Sequence, residues 1–266
     1  MSQKSSDSTL GRVIAVLDAV AGGPAIVTRS YVARRTGLPK ATANRIVAQL
    51  VAARLLQPHP GGVGLAIRVF EWGMRAGEAG IPLREASLPH LEDLYEITHG
   101  NVQLAVRDEF EVVYLHKVSG HRSVRMSTRA GGRAPLHCTG SGKVLLAFAP
   151  PEVLPRLVLE RGLPARTSYS ITDSRVLEDE LGLIRRRCYA VDDEEFARGV
   201  RSVAAPILYR GEVVAAISVS GDARYLSASS VAPPVRAATA AISRSLALPR
   251  WPAPRTEGPK HGTRHH

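Results

Sequence analysis

The sequence has no uninterrupted apolar run approaching the roughly 18–20 residues that cross a bilayer, so no spanning helix and no membrane partner are expected. Its first residues, MSQKSSDSTLGR, lack the apolar stretch of a signal peptide, and a cytoplasmic location is the expectation. Cysteine is scarce. Cys138 and Cys188 stand 50 positions apart with no CxxC or Cys/His spacing, which argues against a disulfide scaffold and a zinc knuckle. His90, His116 and His121 lack metal-ligand spacing as well. There is no GxGxxG, and a phosphate loop ending at Lys143 would need glycine where His137 stands and Ser or Thr where Val144 stands. No nucleotide, metal or other cofactor is therefore expected.

What is present is a globular composition of 266 residues, 44% apolar and 22% charged, enough for two domains with their own cores. The net charge of +11 is unevenly spread. Residues 1–75 carry 10 Lys+Arg against 3 Asp+Glu, residues 76–249 carry 21 against 20, and residues 250–266 carry 4 against 1. A basic front on a balanced body suggests one part that meets a polyanion and another with a separate task. A merely solvated basic surface is the alternative.

Apolar residues at Leu10, Val13, Ile14, Leu17, Val20 and Ala21 recur at helical spacing behind a Ser8 or Thr9 cap, and Gly22, Gly23 and Pro24 end that helix. A short helix follows Thr28 and stops at Thr36-Gly37. The third starts near Lys40 and buries Ala43, Ile46, Val47 and Leu50, leaving Lys40, Thr42, Asn44, Arg45 and Gln49 on its polar face. The last two make a helix-turn-helix, and the extended pieces around the Pro/Gly turn 58–62 read as a β-wing. Residues 66–82, with Trp72 and Met74, suit a linker helix, and Pro82 an N1 position of the next helix, which carries Pro89 as a kink.

Beyond Gly100 the pattern changes to strands at 101–106, 111–118 and 123–128, helices at 140–149, 151–159 and 174–187, strands at 190–192, 200–208 and 212–220, and a closing helix at 231–248. The fold class is α+β in two domains, with a mixed or antiparallel sheet in the second. The expected divisions are a winged helix-turn-helix at 1–66, a linker helix at 67–82, a second domain at 83–249 and a mobile basic tail at 250–266.

The densest segment is RAPLHCTGSGK, 133–143, where Thr139, Gly140, Ser141 and Gly142 form a helix's first turn. Free amides and the positive dipole end there attract a carboxylate or phosphate; glycine chosen only for packing is the alternative. Cys138 beside His137 suggests a thiol enzyme with an acid from 192–195, but neighbours on an extended chain point to opposite sides, so a buried thiol and a backbone-bonded imidazole are favoured. The acidic run Asp192, Asp193, Glu194, Glu195 either receives donors from a polar ligand or is a solvated loop. Ser218 and Ser220 share one strand face and need partners if buried, unless that face meets solvent.

Together these segments resemble the IclR family of bacterial transcriptional regulators from Thr9 to about Leu248: ARRTGLPKATANRIVAQLVAARLL in front; YLHKVSG, GGRAPLHCTGSGKVLLAF, RRRCYAVDDEEFARGVRSVAAPI and VVAAISVSG behind. The resemblance implies a winged helix-turn-helix for DNA, a linker helix, a GAF-like effector-binding domain, and assembly as a homodimer or dimer of dimers. It implies a small organic acid or aromatic metabolite as effector, in a pocket of Met126, Gly140, Ser141, Asp192, Ser202, Ser218 and Ser220. Three positions depart from the family pattern. Ser202 stands where Cys is common, Cys138 where Ala is common, and Tyr31 where a glutamate often completes a capping box. The wing also lacks the charged and aromatic residues often found there.

The expected partner is a pseudo-palindromic double-stranded DNA operator, with Thr42, Asn44 and Arg45 reaching bases or nearby phosphates while Arg34, Arg35 and Lys40 hold the backbone. An architectural DNA binder without a ligand and the thiol-dependent hydrolase or transferase remain the rivals.

Overall fold

The computed structural model describes residues 8–78, 83–120 and 128–247, and the chain divides into two compact units, 1–81 and 82–266. In the first, α1 (Thr9–Ala21), α2 (Arg29–Thr36) and α3 (Lys40–Ala52) pack around Val16, Val20, Val32, Ile46, Val47 and Leu50. The caps are those the sequence announces. Ser8 Oγ accepts the Gly11 N–H at 2.9 Å, Thr28 Oγ1 accepts that of Tyr31 at 3.0 Å, and Gly37 ends α2 at φ 70°. With Tyr31 in place of glutamate, this half of the capping box stands alone.

The wing is an antiparallel pair, β1 (Leu56–His59) and β2 (Gly62–Leu65), and Val63 also bridges to Val27 just before α2. Glycine is required there for reach: a Cβ on Gly62 would lie 2.2 Å from the Val27 carbonyl oxygen. The linker helix α4 (Ile67–Glu78) follows; Arg68 donates to the Ala53 carbonyl at 2.9 Å, closing the end of α3, and lies over the Trp72 ring.

In the second unit, α5 (Leu83–Thr98) leads into a six-stranded sheet of order β5-β4-β3-β8-β7-β6, antiparallel at every pairing. Its strands are β3 (Asn101–Asp108), β4 (Glu111–Val118), β5 (Arg133–Pro135), β6 (Ala190–Asp193), β7 (Val200–Tyr209) and β8 (Glu212–Asp222). On one face, α6 (Gly140–Ala147), α7 (Val153–Arg161) and α8 (Ser174–Arg187) share a core with Ala105, Val112, Tyr114, Ala190, Ala204 and Ala216. The alternating partners Val102, Leu104, Val203, Ile217 and Val219 are equally buried, with α5 and α9 (Ala228–Ala247) packed on the strands that carry them. No described helix is long and apolar enough to cross a membrane.

Several details differ from the sequence reading. All described pairings are antiparallel, so the mixed alternative falls. The edge strand β5 went unread because three residues ending in proline show no alternation. The last helix begins at Ala228, since Val231 N–H already bonds Ser227 O at 3.1 Å and the turn closes ahead of Pro233 and Pro234. Most of the expected strand 123–128, together with Pro82, Met126 and the tail, lies outside the described residues.

Gly62→Ala should lower the stability of the first unit by about 2 kcal/mol, because the added methyl meets rigid backbone. Denaturant unfolding of the full chain, followed at Trp72, checks this; an unchanged transition would mean that the wing shifts freely.

Candidate nucleic-acid interface and ligand pocket

The buried stripe of α3, Ala43, Ile46, Val47 and Leu50, fixes which residues it turns outward. Lys40, Asn44, Arg45 and Gln49 are exposed, Thr42 is half-buried, and Arg34 and Arg35 are exposed on α2. None of these four cations forms an ion pair with a described residue, so their charge is available to an incoming polyanion. Bare cations around one helix face suit the phosphate backbone, while Asn44 and Arg45 have the forked donors that read base edges.

In the second unit, sheet register gathers the expected pocket residues. Asp192 pairs with Ser202, Ser202 with Ser220, and Ser220 with Asn101. The next row on the same face runs Ala204, Ser218, Gln103, Lys117. Asp192, Ser202, Ser218, Ser220, Asn101 and Gln103 are all buried, so the solvent-facing alternative for the two serines is overturned: helices cover both faces. Gln103 Nε2 donates to Thr128 Oγ1 at 2.8 Å, and Lys117 Nζ to the Thr128 carbonyl at 2.9 Å; desolvation lowers the Lys117 pKa.

The start of α6 sits on this polar face. A Cβ on Gly140 would lie 2.7 Å from Ser202 Oγ, so only glycine allows that approach. Thr139 is the N-cap and not part of the first turn, a correction to the sequence reading: its Oγ1 accepts the Gly142 N–H at 3.1 Å. That leaves the amides of Gly140 and Ser141 as those the helix does not use. Ser141 Oγ is 2% exposed and without a hydrogen-bond partner. Two amides and an unpartnered buried hydroxyl at the positive end of a helix are donors arranged for an anion.

The acidic run is only partly a solvated loop: Asp193 is exposed and Glu194 half-buried, but Asp192 and Glu195 are buried. Asp192 Oδ1 accepts the N–H groups of Glu195 at 2.8 Å and Phe196 at 3.3 Å, and its Oδ2 receives Ser202 Oγ at 3.4 Å. Glu195 is ion-paired with Lys143, whose Nζ also donates to the Val191 carbonyl at 2.6 Å and lies 3.8 Å from Glu180 Oε1. At 1% exposure, Lys143 is a buried charge that no motif announced. The available signal was that α6, GSGKVLLA, is otherwise apolar all round, so its one charge had no wet face. Asn101 and Gln103 were missed although they alternate as Ser218 and Ser220 do.

A thiol nucleophile is not supported. Burial, with the charges of Asp192 and Glu195, pushes Cys138 up to about 12, and His137 Nε2 is engaged with the Pro164 carbonyl at 3.1 Å. Among the described residues, no group of three or more His, Cys, Asp or Glu could hold a metal.

Burial raises the Glu195 pKa and Lys143 opposes that rise, so Lys143→Met should push this carboxyl higher and cost about 3–5 kcal/mol. The folded carboxyl then holds its proton more tightly than the unfolded one, so stability falls as pH rises through the interval between their pKa values. Urea unfolding across pH checks both, and adding Glu195→Gln should restore most of the loss.

Comparison with known proteins agrees with these features. The family described as "Bacterial transcriptional regulator IclR C-terminal" matches residues 79–244, and that described as "IclR helix-turn-helix domain" matches residues 9–60. The chain is 33% identical over 216 residues to the "HTH-type transcriptional regulator BhcR" of Paracoccus denitrificans, covering 80% of this chain and 76% of that protein. It is 30% identical over 224 residues to the "Transcriptional repressor IclR" of Escherichia coli, covering 80% and 79%. The crystal structure of an IclR homologue complexed with 4-hydroxybenzoate, from Microbacterium hydrocarbonoxydans, superposes with a TM-score of 0.82 at 32% identity, covering 90% of this chain and 99% of that one. A winged helix-turn-helix unit and an α+β unit with an antiparallel sheet, matched by both family patterns, place this chain in the IclR family of bacterial transcriptional regulators.

Proposed function

We propose that the chain is a cytoplasmic, sequence-specific DNA-binding regulator whose affinity for a pseudo-palindromic operator is set by a small organic acid. The observation that carries the effector half is the buried, unpartnered Ser141 hydroxyl at the open start of α6, above a buried row of serines. An architectural binder without a ligand has no use for such a site. The carboxylate takes the amides of Gly140 and Ser141, and Ser202, Ser218 and Ser220 hold the remainder. The 4-hydroxybenzoate carried by a similar homologue is of this chemical class.

On DNA, α3 enters the major groove with Thr42, Asn44, Arg45 and Gln49 toward the bases and Arg34, Arg35 and Lys40 on phosphates. Leu10 and Ile14 on α1, and Ile67, Phe70 and Trp72 on α4, are exposed apolar residues of the DNA-binding unit that suit a second copy of the chain. A homodimer, alone or paired into a dimer of dimers, demands half-sites about 34–36 Å apart or a multiple of that. We assign 1–66 to DNA binding, 67–82 to the linker, 83–249 to the effector and 250–266 to a basic tail. The acid changes operator affinity only to the extent that it binds the operator-competent state differently.

Selection of sites from a random duplex pool, with and without small carboxylates, tests both halves at once; no preference over scrambled competitor would remove the DNA reading. Arg45→Ala should lose about 1–3 kcal/mol of discrimination at one base pair of each half-site, measured by competition binding. Ser218→Ala with Ser220→Ala should leave operator affinity unchanged and abolish the response to the acid, and a surviving response would place the pocket elsewhere.

A further inference from the structure

The pocket holds an electrostatic imbalance that an anion would worsen. Asp192 is 3% exposed and Glu195 6%, yet among the described residues the ammonium beside them, Lys143, already donates to Glu195 Oε1 and the Val191 carbonyl and lies 3.8 Å from Glu180 Oε1, while Lys117 stands four strands away on the same face. The other titratable groups facing Asp192 are Tyr114 on β4 and Cys138 ahead of α6, and burial pushes both upward, so both stay neutral near neutral pH. Asp192 and Glu195 thus share the Lys143 ammonium with Glu180, and an effector carboxylate adds a further negative charge among buried residues. Such a charge excess is relieved by taking up a proton.

The hydrogen bonds say which oxygen takes it. Glu195 Oε1 is bound to the ammonium, which holds this carboxyl as the ionised partner of Lys143 although its Oε2 is buried without a partner. Asp192 Oδ1 is an acceptor for two backbone N–H groups, whereas Oδ2 has only the Ser202 hydroxyl at 3.4 Å and shares the pocket face with Ser202, Ser220 and Asn101.

Resting on the reading of this pocket as a carboxylate site, we propose that Asp192 meets the effector as its neutral acid. The Oδ2–H donates to the bound anion, so each molecule bound takes up one proton from solvent. In the empty pocket, burial first and Glu195 second push Asp192 up to about 7, against the opposing pull of Lys143 and the two backbone N–H groups. A bound anion raises it further. Binding is then independent of pH below that value and weakens above it, toward tenfold per pH unit, while the effector's own charge stays constant. Asp192 thereby acts as a specificity-determining donor: the pocket selects ligands that present an acceptor to it.

The test uses the full chain. Titration calorimetry with acetate, benzoate and 4-hydroxybenzoate from pH 6 to 8.5, in phosphate and in Tris, reads affinity and protons exchanged. Affinity should fall toward tenfold per unit above pH 7.5, with about one proton taken up per ligand at pH 8. Asp192→Asn keeps an acceptor for the two N–H groups and a fixed donor, so it should bind without pH dependence and more tightly than the wild type at pH 8.5. In the ligand-free protein labelled with carboxyl-13C aspartate, the resonance missing from Asp192→Asn should titrate near 7. A pH-independent wild-type affinity, the same slope in Asp192→Asn, or a resonance titrating in the ordinary carboxylate range would overturn the proposal while leaving the pocket in place. Absence of binding by any of the three acids, at any pH, would sink the pocket reading along with it. The wild-type slope and its proton count need no variant, so a poorly folding Asp192→Asn does not rescue the idea.

Discussion

A buried ammonium group holds the pocket together. Lys143 reaches from the fourth residue of α6 to the Val191 carbonyl on β6 and to Glu195 just beyond it, so the opening of the helix and the end of the edge strand are joined at one atom. Such a charge is costly to bury and pulls against its removal, because either partner left alone is an uncompensated ion. The same anchoring sets Asp192 over Ser202, whose β7 row continues through Ser220 to Asn101. From Lys143 the network runs outward through Glu180, which lies 2.7 Å from Arg187 on α8. The pocket floor is therefore positioned by electrostatics across three elements, and the surrounding apolar core excludes the water that would weaken it.

Much of this fold is legible in local patterning. Caps, apolar stripes and glycine stops bound α1 and α2 correctly, the stripe of α3 fixes its buried face, and the strands of the sheet stand out as β-rich runs between helices. The polar face was half legible: the alternation of Ser218 and Ser220 shows in the sequence, but whether that face meets solvent or the interior was decided only by their burial. Three things were beyond that reach. The three-residue β5 carries no period. Lys143 looks like any helix lysine until the environment of α6 is known. The interior role of 192–195 depends on contacts from β7 and α6, which no local window contains.

The division of charge follows from the same physics. The first unit keeps Arg34, Arg35, Lys40 and Arg45 on its surface with no ion pair to a described residue, while the second pairs several of its cations with its own acids: Arg201 with Asp193, Arg187 with Glu180, Arg224 with Asp222. The solvent-facing pairs among these add little stability, but they lower the net field of the second unit.

Two of the departures from the family pattern lie beside Asp192. Ser202 replaces a common cysteine under Gly140, and Cys138 replaces a common alanine directly before the α6 cap. A hydroxyl at 202 can donate to Asp192 Oδ2 where a thiol would do so only weakly, so this substitution favours the ionised carboxylate in the empty site. Cys138 works the other way, since its fully buried, neutral thiol adds apolar bulk beside the same carboxyl and lowers the local polarity. The two changes flank one ionisable group and pull it in opposite directions. The poise of Asp192 is a property of this sequence that a relative's ligand does not transfer.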